Sequence, residues 1–200
     1  NQIAKTSSKF VTKNPSQIIK ALRTPIQKDD PQVFLHWTES ADTSESVLKT
    51  IELIQGINTI SDRSLQILTR YNRSKLSDVE MLRVKEAWNG PVMRQRTIHA
   101  SKGLEADFVI LLDLNSEHNG FPSSRENDPI LNLVLSKPDD FPDSEERRLF
   151  YVSLTRAKEQ THLLANSRHP SSFAEELQHS EYNIIATGMR ETKLKCPSCS

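Results

Sequence analysis

The run Phe108-Val109-Ile110-Leu111-Leu112 constrains the fold most, because five consecutive apolar residues leave no side chain to face water. A strand of that kind is buried on both faces, which is the mark of a parallel sheet with helices above and below it. The rest of the chain supplies those helices. Apolar residues at helical spacing mark helices over 15–23, 42–60, 76–88, 144–158 and 172–177. Short apolar or alternating runs mark strands over 32–37, 65–70, 93–98, 108–112 and 161–165. Thr43 and Ser44 are the capping candidates of the second helix, and Asp143 with Glu146 forms a capping pair for the fourth. Residues 121–141 are rich in proline and read as an irregular insertion with a short helix at 130–135. Strands that alternate with helices give an α/β domain with a mostly parallel sheet covered on both faces. With 200 residues the chain can bury a core that needs neither disulfide nor metal. No apolar run approaches the roughly 18 residues of a membrane span.

Glycine spacing then excludes two nucleotide motifs. The five glycines stand at 56, 90, 103, 120 and 188, so no pair is spaced as in a P-loop and none as in GxGxxG. This chain cannot cradle nucleotide phosphates alone. The formal net charge of zero hides an asymmetry: residues 63–102 hold nine basic against three acidic residues, and residues 103–150 hold eleven acidic against four basic. The basic block is either a solvated face or a phosphate-contacting surface. In parallel sheets ligands gather at the carboxyl ends of the strands. Arg70, Asn72 and Arg73 follow one strand, and His99, Ser101, Lys102 and Glu105 follow another, so both groups are expected on that one edge. The turn 100–104 is expected to leave amide groups free at a helix start, a further anion site. Arg156 continues the stripe Leu149, Val152, Ser153. An arginine there either meets a carboxylate inside or emerges at a cleft to meet a ligand. Cys196 and Cys199 form one CxxC, read as half of a four-ligand zinc site, a redox pair or two tail thiols. The half-site is the favoured reading, with no ordered metal expected on two ligands.

Longer motifs carry more. Thr97-Ile98-His99-Ala100-Ser101-Lys102-Gly103-Leu104-Glu105 resembles motif V of the superfamily 1 helicases of the UvrD/Rep type. The segment from Glu145-Glu146-Arg147-Arg148-Leu149-Phe150-Tyr151 through Val152-Ser153-Leu154-Thr155-Arg156-Ala157-Lys158 resembles their motif VI. Gly120-Phe121-Pro122 is similar to the G-F-P that follows the motif V strand, and Leu68-Thr69-Arg70-Tyr71-Asn72 to the segment between motifs IV and V. The likeness covers about residues 60–170, and the flanking segments look like the bacterial helicase IV type, whose chains can end in a topoisomerase-like zinc ribbon.

The resemblance implies a RecA-like second motor domain over 31–180, a lead-in helix within 1–30, and a tail at 181–200 that begins a zinc ribbon. It implies ATP with Mg²⁺, held mainly by a first motor domain of the same chain that carries the P-loop, and Zn²⁺ in the complete ribbon. Arg156 takes the place of the arginine finger at the γ-phosphate, Glu105 that of the ribose contact, and Gly103 that of a close backbone approach to the nucleotide. Thr97, His99 and Arg70 take the place of single-strand contacts, with Asn72, Arg73 and Lys102 beside them. The family's motif IV arginine is expected just ahead of Asn1. Only 26 residues lie between Arg70 and Thr97, the interval where relatives insert a large accessory domain. The implied function is ATP-driven translocation on single-stranded and partly duplex DNA in the bacterial cytoplasm, as in DNA repair, with the fragment inactive alone. A non-hydrolysing RecA-like module that binds DNA or protein is the alternative. A nuclease, suggested by the acidic stretch 139–146, lacks the carboxylate–carboxylate–lysine arrangement.

Overall fold

The apolar run sits at the centre of a six-stranded sheet. A computed structural model describes residues 2–17, 32–39, 42–117, 119–123 and 141–188. Its strands are β1 (Val33–Thr38), β2 (Ser64–Thr69), β3 (Val92–Thr97), β4 (Ala106–Leu114), β5 (Ala157–Asn166) and β6 (Ile185–Thr187). Their order is β3-β2-β4-β5-β1-β6, and every pairing between them is parallel. The helices are α1 (Gln2–Val11), α2 (Thr43–Ile57), α3 (Asp78–Ala87), α4 (Ser144–Leu154) and α5 (Ser172–Leu177).

Alternation along β4 divides the core in two. Phe108, Ile110 and Leu112 pack with Leu65 and Ile67 against Val47, Ile51 and Ile54 of α2 and Met81 and Val84 of α3. Val109 and Leu111 pack with Leu35 and Leu163 against Ile3 and Phe10 of α1, Phe150 and Leu154 of α4, and Phe173 and Leu177 of α5. Within the second core, Arg147 of α4 lies 4.6 Å from the Phe10 ring and 5.2 Å from the Phe173 ring, and pairs with Glu176 at 2.5 Å. Trp37 and Trp88 are both buried, as their packing role requires.

Local chemistry explains most element ends and corrects several expectations. The first helix runs over Gln2–Val11 and gives way to turns at 12–17; residues 18–23 of the helix expected at 15–23 lie outside the described residues. The α2 cap is Asp42, whose Oδ1 accepts from the Ser44 amide at 2.8 Å and the Glu45 amide at 3.2 Å, in place of Thr43 or Ser44. Ser77 and Glu80 close a reciprocal capping box on α3. The capping pair expected at the start of α4 does not form. Asp143 sits in left-handed backbone (φ 54°) without a side-chain cap bond, and Glu146 faces another element. α4 ends at Leu154, four residues before its expected end, because Ala157 already pairs with Ala106 in the sheet. Residues 185–187, expected in the tail, pair with Phe34, Leu35 and His36 and close the sheet. The helix expected at 130–135 and the CxxC of Cys196 and Cys199 lie outside the described residues. No helix among the described residues is long and apolar enough to cross a membrane.

The connection from β3 to β4 matters most for the site. Residues 98–105 return from the carboxyl end of β3 to the amino end of β4 with only a 3-10 turn, His99–Ser101, on the way. A parallel crossover normally takes a dozen or more residues and a helix. Here the remaining residues must run nearly straight across β2.

At the far end of the sheet a closed chain of side chains links three strands. Gln160 Nε2 donates to Asn58 Oδ1 at 3.2 Å, which leaves its Oε1 to accept from His162 Nε2 at 3.2 Å. His162 Nδ1 then accepts from His36 Nε2 at 2.9 Å, and His36 Nδ1 from the Thr187 hydroxyl at 2.7 Å. Burial pushes His36 down to about 4 and His162 down to about 3. Both rings are neutral where the fold is stable.

Candidate nucleotide and nucleic-acid sites on opposite edges

The two ends of the strands carry different groups. At the carboxyl edge the loop after β2 and the turn after β3 meet through the Ile98 amide, which donates to the Thr69 carbonyl at 3.0 Å. Asn72 and Arg73 lie exposed on a 3-10 turn, Asn72–Ser74, with the Arg73 guanidinium 5.2 Å from the Tyr71 ring. Thr97 Oγ1 accepts from the Ala100 amide at 3.3 Å, and His99 and Lys102 are exposed beside it. Among the described residues neither Arg73 nor Lys102 pairs with a carboxylate. The helix start expected after residues 100–104 is absent: the amides of Ser101, Lys102 and Leu104 are bonded within the turn, which leads into a strand.

Arg70 departs from expectation. Its guanidinium holds Glu146 in a two-pronged pair, Nη2 to Oε1 at 2.7 Å and Nε to Oε2 at 3.1 Å, with both side chains largely buried. It is therefore committed to a carboxylate and does not stand open to solvent as Arg73 does. Glu146 Oε2 also accepts from the Ser123 amide at 3.0 Å, and the hydroxyls of Ser123 and Tyr71 share a 2.6 Å bond. Gly120 makes that arrangement possible, since a Cβ there would collide with the Asn115 carbonyl oxygen. Sequence reasoning missed Asp113. It lies in left-handed backbone (φ 69°) near the end of β4 and accepts from the Arg70 amide at 3.3 Å. Burial pushes its carboxyl up to about 6. The signal was one acidic residue inside an otherwise apolar strand.

Glu105 and Arg156 occupy the amino edge, which corrects the placement of Glu105 with His99 and Lys102. Glu105 is exposed one residue ahead of β4. The next amide, that of Ala106, donates to the Arg156 carbonyl at 3.0 Å, so the two backbones lie side by side. Gly103, on the way there, has φ +80° with open space where a Cβ would stand. Backbone conformation, and not crowding, asks for glycine at that point. Arg156 lies beyond the end of α4, in the turn before β5, so it does not continue the helical stripe. It is half-buried; its Nε donates to the Val152 carbonyl at 3.0 Å and Nη2 to Thr155 Oγ1 at 3.4 Å. Among the described residues it pairs with no carboxylate. A cavity of about 160 Å³ adjoins Glu105 and is lined by Gln66, Arg94, Arg96 and Leu104. Arg94 and Arg96 were read only as part of the basic block.

The strand, turn and helix that carry these groups span both long motifs. Residues 89–168 belong to the UvrD-like helicase C-terminal domain family. The chain is 33% identical over 185 residues to DNA helicase IV of Escherichia coli (strain K12), covering 92% of this chain and 26% of that protein. It is 34% identical over 111 residues to an ATP-dependent helicase/nuclease protein of Staphylococcus aureus (strain JH9), covering 44% of this chain and 9% of that protein. The chain thus spans about a quarter of the first relative and under a tenth of the second. A solved structure, the C-terminal domain of a possible DNA helicase from Lactobacillus plantarum WCFS1, overlaps it with a TM-score of 0.49 at 16% identity, covering 94% of this chain and 97% of that one.

Proposed function

We propose that this chain is the second motor half of an ATP-dependent DNA helicase, with nucleotide met at the amino edge of its sheet and single-stranded DNA at the carboxyl edge. The observation that carries the reading is Arg156: a half-buried guanidinium at the amino edge, held by a backbone carbonyl and a hydroxyl and by no carboxylate. A cation in that state is suited to a phosphate arriving from outside the domain. Arg156 would stabilise charge developing on the transferred phosphoryl group, a role worth about 10³–10⁵ in rate elsewhere. Glu105, one residue from the strand that Arg156 bonds, would accept from a ribose hydroxyl, and Gly103 would set the backbone turn that brings Glu105 there.

The described residues hold no group of three or more His, Cys, Asp or Glu able to bind a metal ion. Mg²⁺ and the P-loop are accordingly assigned to the first motor domain of the longer protein, and this chain alone is expected to hydrolyse nothing. Zn²⁺ would fall to Cys196 and Cys199 with two further ligands. Asn72, Arg73, Thr97, His99 and Lys102 would meet the strand mainly at its phosphates, giving sequence-tolerant and salt-sensitive binding.

The test is ATP hydrolysis stimulated by single-stranded DNA in the full-length protein, wild type beside Arg156→Ala, with nucleotide affinity measured in both. Turnover is expected to collapse with affinity largely kept. Unchanged turnover would remove Arg156 from the reaction, and no turnover in the wild type would favour the non-hydrolysing binding module.

A further inference from the structure

The Arg70–Glu146 pair joins groups that the sequence keeps 76 residues apart. Glu146 sits in the first turn of α4 and gathers donors from two other segments, Arg70 after β2 and Ser123 after β4. The Tyr71–Ser123 hydroxyl bond closes the ring, and the Arg70 guanidinium lies 4.6 Å from the Tyr71 ring. The other end of α4 holds the finger candidate. At about 1.5 Å per residue the eleven residues of the helix span about 16 Å. That carries the chain from the carboxyl edge of the sheet to the amino edge. There Arg156 Nε is bonded to the Val152 carbonyl of the last turn, so the guanidinium follows the helix.

Resting on the function proposed above, we propose that Glu146 is a positioning residue that couples single-stranded DNA at the carboxyl edge to the setting of Arg156 at the amino edge. Arg70 is the movable part. It stands two residues from Asn72 and three from Arg73, where a DNA phosphate would arrive, and a phosphate competes with the Glu146 carboxylate for the same guanidinium. Arg70 held by Glu146 and Arg70 shared with a phosphate are two states of one contact. The change between them releases or tightens the first turn of α4. A rigid helix then transmits the change to its last turn and to Arg156. A two-state element biased from one site and felt at the other is what coupling requires.

The experiment uses the full-length protein, with oligothymidylate as the single strand and ATP turnover measured with and without it. Glu146→Gln keeps the shape of the side chain and weakens its hold on Arg70. Basal turnover is expected to stay within about twofold, while the stimulation factor falls about fivefold or more, the lower end of ordinary coupling strengths. The charge swap Arg70→Glu with Glu146→Arg is expected to recover part of that factor. A stimulation factor unchanged in Glu146→Gln, or basal and stimulated turnover falling together with thermal stability, would overturn the proposal and leave the pair a structural brace. Where neither variant folds, hydrogen exchange on the wild-type protein decides. Addition of the strand is expected to change exchange within 146–154 as well as at 70–74 and 97–102, and a change confined to the two loops would overturn the coupling. Failure of the helicase reading itself is separate, since it shows as unchanged turnover in Arg156→Ala whatever Glu146→Gln does.

Discussion

Arg70 and Arg156 are the same residue type, each at a strand end, and they live in opposite circumstances. Arg70 at the carboxyl edge has a carboxylate, an aromatic face and a largely buried side chain. Arg156 at the amino edge has a backbone carbonyl, a hydroxyl and no counter-charge among the described residues. The first is already neutralised by its own domain; the second keeps its charge for something that the domain does not supply. Position at a strand end therefore does not by itself make an arginine a ligand contact. What decides is whether the fold has already provided its anion.

Substitutions can break this contrast. The largest effect is expected from Arg156→Ala in the full-length protein: about 10³-fold or more in turnover, with unfolding free energy in urea unchanged within about 0.5 kcal/mol. A stability loss there as large as that of an internal pair would make the two arginines alike. Arg147 supplies the opposite extreme, because its guanidinium lies among Phe10, Phe141 and Phe173 and pairs with Glu176. Arg147→Ala is expected to cost about 3–5 kcal/mol in urea unfolding, since it strands a partly buried carboxylate.

Acid should act next in size. His36 and His162 have folded values near 4 and 3, below the ordinary 6.5, so the unfolded chain binds protons first and stability falls as pH drops below 6.5. Asp113 acts the other way: its folded value near 6 lies above the ordinary 3.8, so its contribution is full below 3.8 and lost as pH rises through 6. Two histidines against one aspartate leave a net loss of about 1.4 kcal/mol per pH unit between 6 and 4.5. Asp113→Asn should steepen that slope in urea melts taken at several pH values, and a flat profile would contradict the buried histidine pair. The smallest effect belongs to Arg73→Ala, expected to leave stability within about 0.5 kcal/mol and to lower the salt dependence of single-strand binding by about one counterion. An unchanged salt slope would take Arg73 out of the DNA surface.

Much of the fold was legible in the residues because it is local. The five apolar residues at 108–112 do form the middle of the sheet, Ser77 and Glu80 mark the start of α3, and residues 172–177 form the last helix. Chemistry that depends on distant partners was not legible. Glu146 was read as a cap because it stands three residues after Asp143, yet its partner lies in another loop. Glu105 was placed on the carboxyl edge because a helix was expected after the 93–98 strand. The short crossover without a helix carries it to the other edge. Residue type identified Arg156 as unusual, but its lack of an ion pair is a property of the packed domain.

Photocrosslinking tests the two-edge account most directly. The full-length protein would be labelled once with an ATP analogue carrying a photoreactive group on its ribose, and once with a photoreactive single strand, and the modified peptides mapped. The account predicts nucleotide label within 103–106 or 155–158 and DNA label within 70–74 or 97–102. Nucleotide label within 70–74, or DNA label around Glu105 and Arg156, would contradict it.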